Sequence, residues 1–175
     1  MTEWVALLRG VNVGGISIKN APLAAVFEGL GFDEVKTVLA SGNVRFRSDR
    51  GGKPELKVDV EAALRDAFGY DAWIVLVALD ELVAAADAFP FDPDDAERQP
   101  WVIFCVDAAT RRELAAAAST LDSSVDPVTE ADHGLYWWPP MGRSTDTPFA
   151  KELARATYKP RTTNRNLRTL RKIIG

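Results

Sequence analysis

Trp4-Val5-Ala6-Leu7-Leu8-Arg9-Gly10-Val11-Asn12-Val13-Gly14-Gly15 is an apolar run that stops at a charge and passes into a glycine-rich segment. Five apolar residues in succession, closed by Arg9, fit a buried strand followed by a turn. Such a strand needs partners, and two β-rich runs supply them. Glu34 to Ala40 and Val44 to Arg47 flank Ser41-Gly42-Asn43, which reads as a tight hairpin.

Helical stripes fill the intervals. Asn20 is placed as an N-cap with Pro22 in the first turn, and Leu23, Val26, Phe27 and Leu30 recur on one face before Gly31. Pro54 opens a second helix whose stripe is Val60, Ala63, Leu64, Ala67 and Phe68, with Gly69 as its stop. Ala72 to Val77 is a fully apolar run of strand length, the fourth strand. The order over residues 1–78 is β-α-β-β-α-β, the ferredoxin-like pattern. In that sheet the first and third strands are antiparallel neighbours, so Arg9 and Asn12 are expected beside Ser41 and Asn43 at one edge.

Asp80 reads as the N-cap of a helix carrying Leu82, Val83, Ala86 and Phe89, and the proline-punctuated acidic loop Pro90 to Asp95 follows. Trp101 to Val106 reads as a strand and Leu114, Ala118 and Leu121 as a helix stripe. Val125 to Thr129 and Leu135 to Trp138 read as strands around Asp132-His133-Gly134. Thr147 to Thr157 and Asn164 to Ile174 are read as helices. This half therefore runs β-α-β-β-α-α from residue 101, an approximate echo of the first. The expectation is an α+β fold of two related ferredoxin-like halves with antiparallel sheets, residues 1–78 and 79–175, packed as one unit and ending in a basic C-terminal helix.

At 175 residues the chain is long enough to bury roughly 70% of its extended-chain surface without disulfide or metal. One cysteine, Cys105, excludes an internal disulfide, and the acidic start and absence of a run near about 18 apolar residues argue for a cytoplasmic protein with no membrane segment. The net charge of −4 hides an asymmetry: from Arg143 onward nine Lys or Arg face two carboxylates. That basic end either binds anions or folds onto the acidic surface of its own chain.

Several chemistries are poorly served. Gly10, Asn12 and Gly15 mimic a dinucleotide fingerprint, but the helix starts some five residues too late, and no P-loop lysine motif is present. One histidine and one cysteine do not make a zinc site, and no cofactor is expected. His133 is read as a surface residue. Ser144 lacks the flanking glycine of a nucleophile elbow and is read as a helix N-cap. What remains is a loop offering amides, a guanidinium and a side-chain amide, which reads either as an anion nest or as a tight turn capped by Asn12. In Trp137-Trp138-Pro139-Pro140, alternation exposes one ring, for stacking on a base or for packing.

These stretches resemble the DUF1697 family of small bacterial proteins of unknown function. Its pattern opens with R-G-[IV]-N-V-G-G, matched by Arg9 to Gly15. It continues with S-G-N-V at Ser41 to Val44 and G-R-S at Gly142 to Ser144. It closes with T-T-R-N-W-x-T, of which Thr163, Arg165, Asn166 and Thr169 remain; Asn164 and Leu167 replace a threonine and the tryptophan, and Thr145-Asp146 stand where Lys-Leu is common. The resemblance implies two ferredoxin-like halves and supplies no activity.

Three functions stay open at this stage. The first is binding of an anionic, phosphorylated small molecule through Arg9, Gly10, Asn12, Gly14, Gly15, Ser41, Gly42, Asn43, Arg143, Ser144, Arg165 and Asn166. The second is nucleic-acid binding through the basic terminal helix. The third is catalysis on a phosphorylated substrate. The sequence leaves the catalytic residues, the ligand and the oligomeric state undetermined.

Overall fold

Alternation decides which way the first strand faces. In the computed structural model, which describes residues 1–11, 15–69 and 71–175, β1 (Thr2–Arg9) turns Trp4, Ala6 and Leu8 toward two helices, α1 (Asn20–Gly29) and α2 (Lys53–Phe68). β2 (Asp33–Thr37), β3 (Asn43–Ser48) and β4 (Trp73–Ala78) complete an antiparallel sheet in the order β2-β3-β1-β4. Leu23 and Phe27 of α1 and Leu56, Val60 and Leu64 of α2 form the buried stripes, one helical turn apart. They meet Val44, Phe46, Ile74 and Leu76 from the sheet, and each such side chain contributes about 1.5–3 kcal/mol by leaving water. Phe32 stacks on Phe46 with ring centroids 4.4 Å apart, and Phe27 lies 5.3 Å from Phe46.

The helix ends follow their local chemistry. Glu55 accepts a hydrogen bond from the Gly52 amide at 3.2 Å, and Gly69 ends α2 in the left-handed region at φ 69°. Asn20 is the first helical residue of α1, with Lys19 at the cap position and no side-chain cap.

The chain divides into two units, Met1–Asp80 with Lys172–Gly175, and Glu81–Arg171. α3 (Leu79–Asp87) begins at once after β4, one residue before the cap expected at Asp80. β5 (Trp101–Cys105) leads to α4 (Ala108–Ala118), where the Asp107 carboxylate accepts the Thr110 amide at 2.7 Å. β6 (Val128–Ala131) and β7 (Gly134–Trp137) form a hairpin; the first of these starts three residues later than its β-rich run suggested. α5 (Pro148–Leu153) follows, with its N-cap at Thr147, whose hydroxyl accepts the Ala150 amide at 3.1 Å; the cap role expected of Ser144 falls to Thr147. A short 3-10 helix, Ala156–Tyr158, leads to β8 (Thr162–Asn166) and α6 (Leu167–Ile174).

β8 corrects the expected helix over residues 164–174. It pairs antiparallel with β5 and gives the sheet order β6-β7-β5-β8, so the second unit is also β-α-β-β-α-β before its last helix. Thr162, Thr163 and Arg165 are nearly fully buried in it, yet their polar atoms are served locally: Thr162 donates to the Tyr158 carbonyl at 3.0 Å and Arg165 to Thr163 Oγ1 at 2.7 Å. Local satisfaction is what lets a polar stretch occupy a buried strand. The core of this unit gathers Ile103, Leu114, Leu135, Trp137, Phe149 and Leu153.

Candidate functional site

The register of β1 sets the first candidate site. Leu7 stands opposite Asn43 on β3 and Arg9 opposite Trp73 on β4. Beyond the last paired step, the Leu8 amide donates to the Gly42 carbonyl at 2.8 Å. Gly42 has φ +79°, and a Cβ there would lie 2.9 Å from Leu8 Cβ and 3.2 Å from Val11 Cγ2. Only glycine fits this approach. The hairpin therefore packs directly on the segment leaving β1, and Arg9, Ser41, Gly42 and Asn43 come together at one end of the sheet. Because Leu8 faces the helices, Arg9 and Asn43 belong to the opposite sheet face.

Their roles differ. Asn43 is fully buried, and its side-chain amide donates to the Val38 carbonyl and to Ser41 Oγ, both at 2.8 Å. It pins the hairpin from inside. Ser41 is exposed, Arg9 is half-buried, and burial lowers the Arg9 pKa from its ordinary value. Gly10 and Gly15 are exposed, at φ 80° and 87°. Asn12 and Gly14 lie outside the described residues. Leu39, at φ 60° and 39% exposed, holds a conformation costly for leucine at the hairpin tip. Trp73, half-buried beside Arg9, was not singled out from sequence; the β1 to β4 register is the signal that finds it.

The remaining candidates belong to the second unit. Arg143 is exposed in a turn and pairs with Asp146 at 3.2 Å, and Ser144 is half-buried beside it. Arg165 is 6% exposed and donates to Thr163 and to the Asn164 carbonyl, the latter at 2.9 Å. Asn166 Oδ1 accepts the Arg168 amide at 3.0 Å, opening α6. Arg165 thus leaves the basic helix face on which it was expected, and Arg168, Arg171 and Lys172 are the exposed cations of α6.

Neither tryptophan of the Trp137-Trp138 pair is exposed. Trp137 is fully buried and donates to Asp126 Oδ2 at 3.3 Å. Trp138 is half-buried, stacked on Phe91 at 5.1 Å with the Arg98 guanidinium 5.0 Å from its ring. Burial pushes the Cys105 thiol up to about 12, far from a reactive thiolate. Among the described residues no cluster of three or more His, Cys, Asp or Glu is arranged for a metal ion, and no helix is long and apolar enough to cross a membrane.

The two units can be laid over each other by ladder step and facing. Trp4, Ala6 and Leu8 correspond to Trp101, Ile103 and Cys105, and Phe46 corresponds to Trp137. On that frame the second unit joins β5 to α4 through residues 106–107 and β6 to β7 through residues 132–133. The first unit uses residues 10–19 and 38–42 for the same two joins. Both of its extended connections sit at the sheet end where Arg9 lies.

Among solved structures, a conserved bacterial protein, SP0830, from Streptococcus pneumoniae superposes with a TM-score of 0.81, covering 99% of this chain and 97% of that one at 23% identity. That likeness carries the fold. No curated protein matches the chain. The family model described as "Protein of unknown function (DUF1697)" matches residues 1–136, and the chain belongs to that family.

Proposed function

We propose that the first unit binds a small phosphorylated or otherwise anionic molecule at the Arg9 end of its sheet. One observation carries the reading. The second unit closes the same two joins with two residues each, so the extra residues at 10–19 and 38–42 are not needed to connect those elements and are free to serve a ligand. Those residues carry the amides of Gly10 and Gly15 and the Ser41 hydroxyl, and the Leu8–Gly42 hydrogen bond seats the hairpin beside the segment that leaves Arg9. A guanidinium partly withdrawn from water gains more from an arriving anion than a solvated one does. Leu39, exposed and strained, and Trp73, opposite Arg9, offer apolar surface for the body of such a ligand. Asn43 acts through the hairpin it pins.

Isothermal titration with inorganic phosphate and with mononucleotides tests the reading. The expected result is saturable binding, with Arg9→Ala at least tenfold weaker and Arg9→Lys between the two, since lysine keeps the charge without the fork. Absence of heat at millimolar ligand, or equal affinity in Arg9→Ala, contradicts it.

A further inference from the structure

The second unit holds a cavity of about 300 Å³ between α4, the segment 119–127, β6 and α5. That is the lower end of the ~300–1,000 Å³ range of small-molecule pockets. Its walls include Ala115, Ala118, Leu121, Val128 and Phe149, and the charged groups lining it are all carboxylates: Asp122, Asp126 and Glu130. Two of these are engaged. Asp122 Oδ1 accepts the Ser124 amide and hydroxyl, which holds its carboxyl below the ordinary value, and Glu130 pairs with Arg111 at 3.1 Å.

Asp126 is different. It is 3% exposed, and only its Oδ2 is used, accepting Trp137 Nε1 at 3.3 Å and the Phe149 amide at 3.2 Å. Oδ1 is buried and has no hydrogen-bond partner. A buried acceptor without a donor is rare because its lost hydration goes unreplaced. No arrangement of carboxylates among the described residues suits a metal ion, and the lining divides evenly between apolar side chains and Ser, Asp or Glu, which suits an organic molecule with a donor group at one end and an apolar body at the other.

We propose that this cavity is a binding site for a small organic ammonium compound, whose N–H groups pair with Asp126 Oδ1 while its apolar body lies against Leu121, Val128 and Phe149. Oδ1 is covered, so the donor reaches it with a small shift of the wall, and segment 119–127, which contains neither helix nor strand, is the wall that yields. The proposal is independent of the Arg9 site.

The test uses the full chain, with benzylamine as probe, benzyl alcohol as its near-isosteric neutral control and benzoate as the opposite charge. Binding is read from the NMR shifts of the Phe149 amide and the Trp137 indole N–H. The expected result is saturation by benzylamine, at least tenfold weaker binding of benzyl alcohol and none of benzoate. Asp126→Asn retains an acceptor for Trp137 and Phe149 but offers an NH₂ in place of Oδ1, and should weaken benzylamine at least tenfold. Should Asp126→Asn fail to fold, Ala118→Phe fills the cavity with Asp126 intact and should abolish the shifts. Equal binding of benzylamine and benzyl alcohol, unchanged benzylamine affinity in both variants, or no response at millimolar benzylamine overturns the proposal.

Discussion

The two units share one sheet plan and differ in the joins between its elements, most plainly at the end where Arg9 lies. Where β5 passes through Asp107, itself a helix cap, straight into α4, β1 ends in Arg9 and a long glycine-bearing connection. Where β6 and β7 are joined by Asp132 and His133 alone, β2 and β3 are joined by a hairpin with Leu39 at φ 60° and Gly42 at φ 79°. For these two joins the comparison is a control within one chain: two residues close each of them in the second unit, so the longer versions in the first are not needed to connect the elements.

The largest effects should come where the units agree. Phe46 and Trp137 occupy the same step, both without solvent exposure, and each touches aromatic neighbours of its own core. Phe46→Ala and Trp137→Ala should each cost about 3–5 kcal/mol in chemical denaturation. A loss under 1 kcal/mol in either would mean that the units do not share a frame at that step.

Next come the positions where the frame is the same and the chemistry is not. Gly134 begins β7 at the step where Asn43 begins β3. A Cβ on Gly134 would meet the Ile103 carbonyl oxygen, whereas Asn43 uses its amide on Val38 and Ser41. Gly134→Asn should therefore cost about 3 kcal/mol by overpacking. Asn43→Gly should cost about 2 kcal/mol through two lost hydrogen bonds and added backbone freedom. Stability unchanged by both exchanges would contradict the assigned roles.

The smallest effect on stability near neutral pH concerns Cys105, which stands where the first unit has Leu8. Its native pKa of about 12 lies above the ~8.5 of an unfolded thiol, so the native state holds the proton more tightly. Cys105 then adds stability in full below about pH 8.5 and loses it as pH rises toward 12. At pH 8 alkylation of the native protein should be about a thousandfold slower than in denaturant, because the thiolate is the reactive form. Equal rates would contradict the burial.

Much of this plan was legible in the sequence because period and punctuation agreed. Leu23, Phe27, Leu64 and Gly69 read correctly as stripe and stop, and β-α-β-β-α-β follows from their order. β8 was missed because Thr162-Thr163-Asn164-Arg165-Asn166 has no apolar residue; its burial depends on a hydrogen bond donated to the Tyr158 carbonyl and on one within the strand itself. Ser144 lost its cap role because Thr147 lies immediately before Pro148, which can start a helix without needing its own N–H. The meeting of Arg9 with the Ser41 hairpin was legible from strand order, whereas Trp73 and the orphaned oxygen of Asp126 depend on register and packing that no short motif encodes.

The most direct test of the central claim is a two-dimensional amide NMR titration with inorganic phosphate. The account predicts saturable shifts at Gly10, Gly15, Ser41 and Gly42, lost in Arg9→Ala, with the amides at the 106–107 and 132–133 joins of the second unit unmoved. Shifts concentrated at those short joins, or none at residues 10–19 and 38–42 under millimolar phosphate, would contradict it.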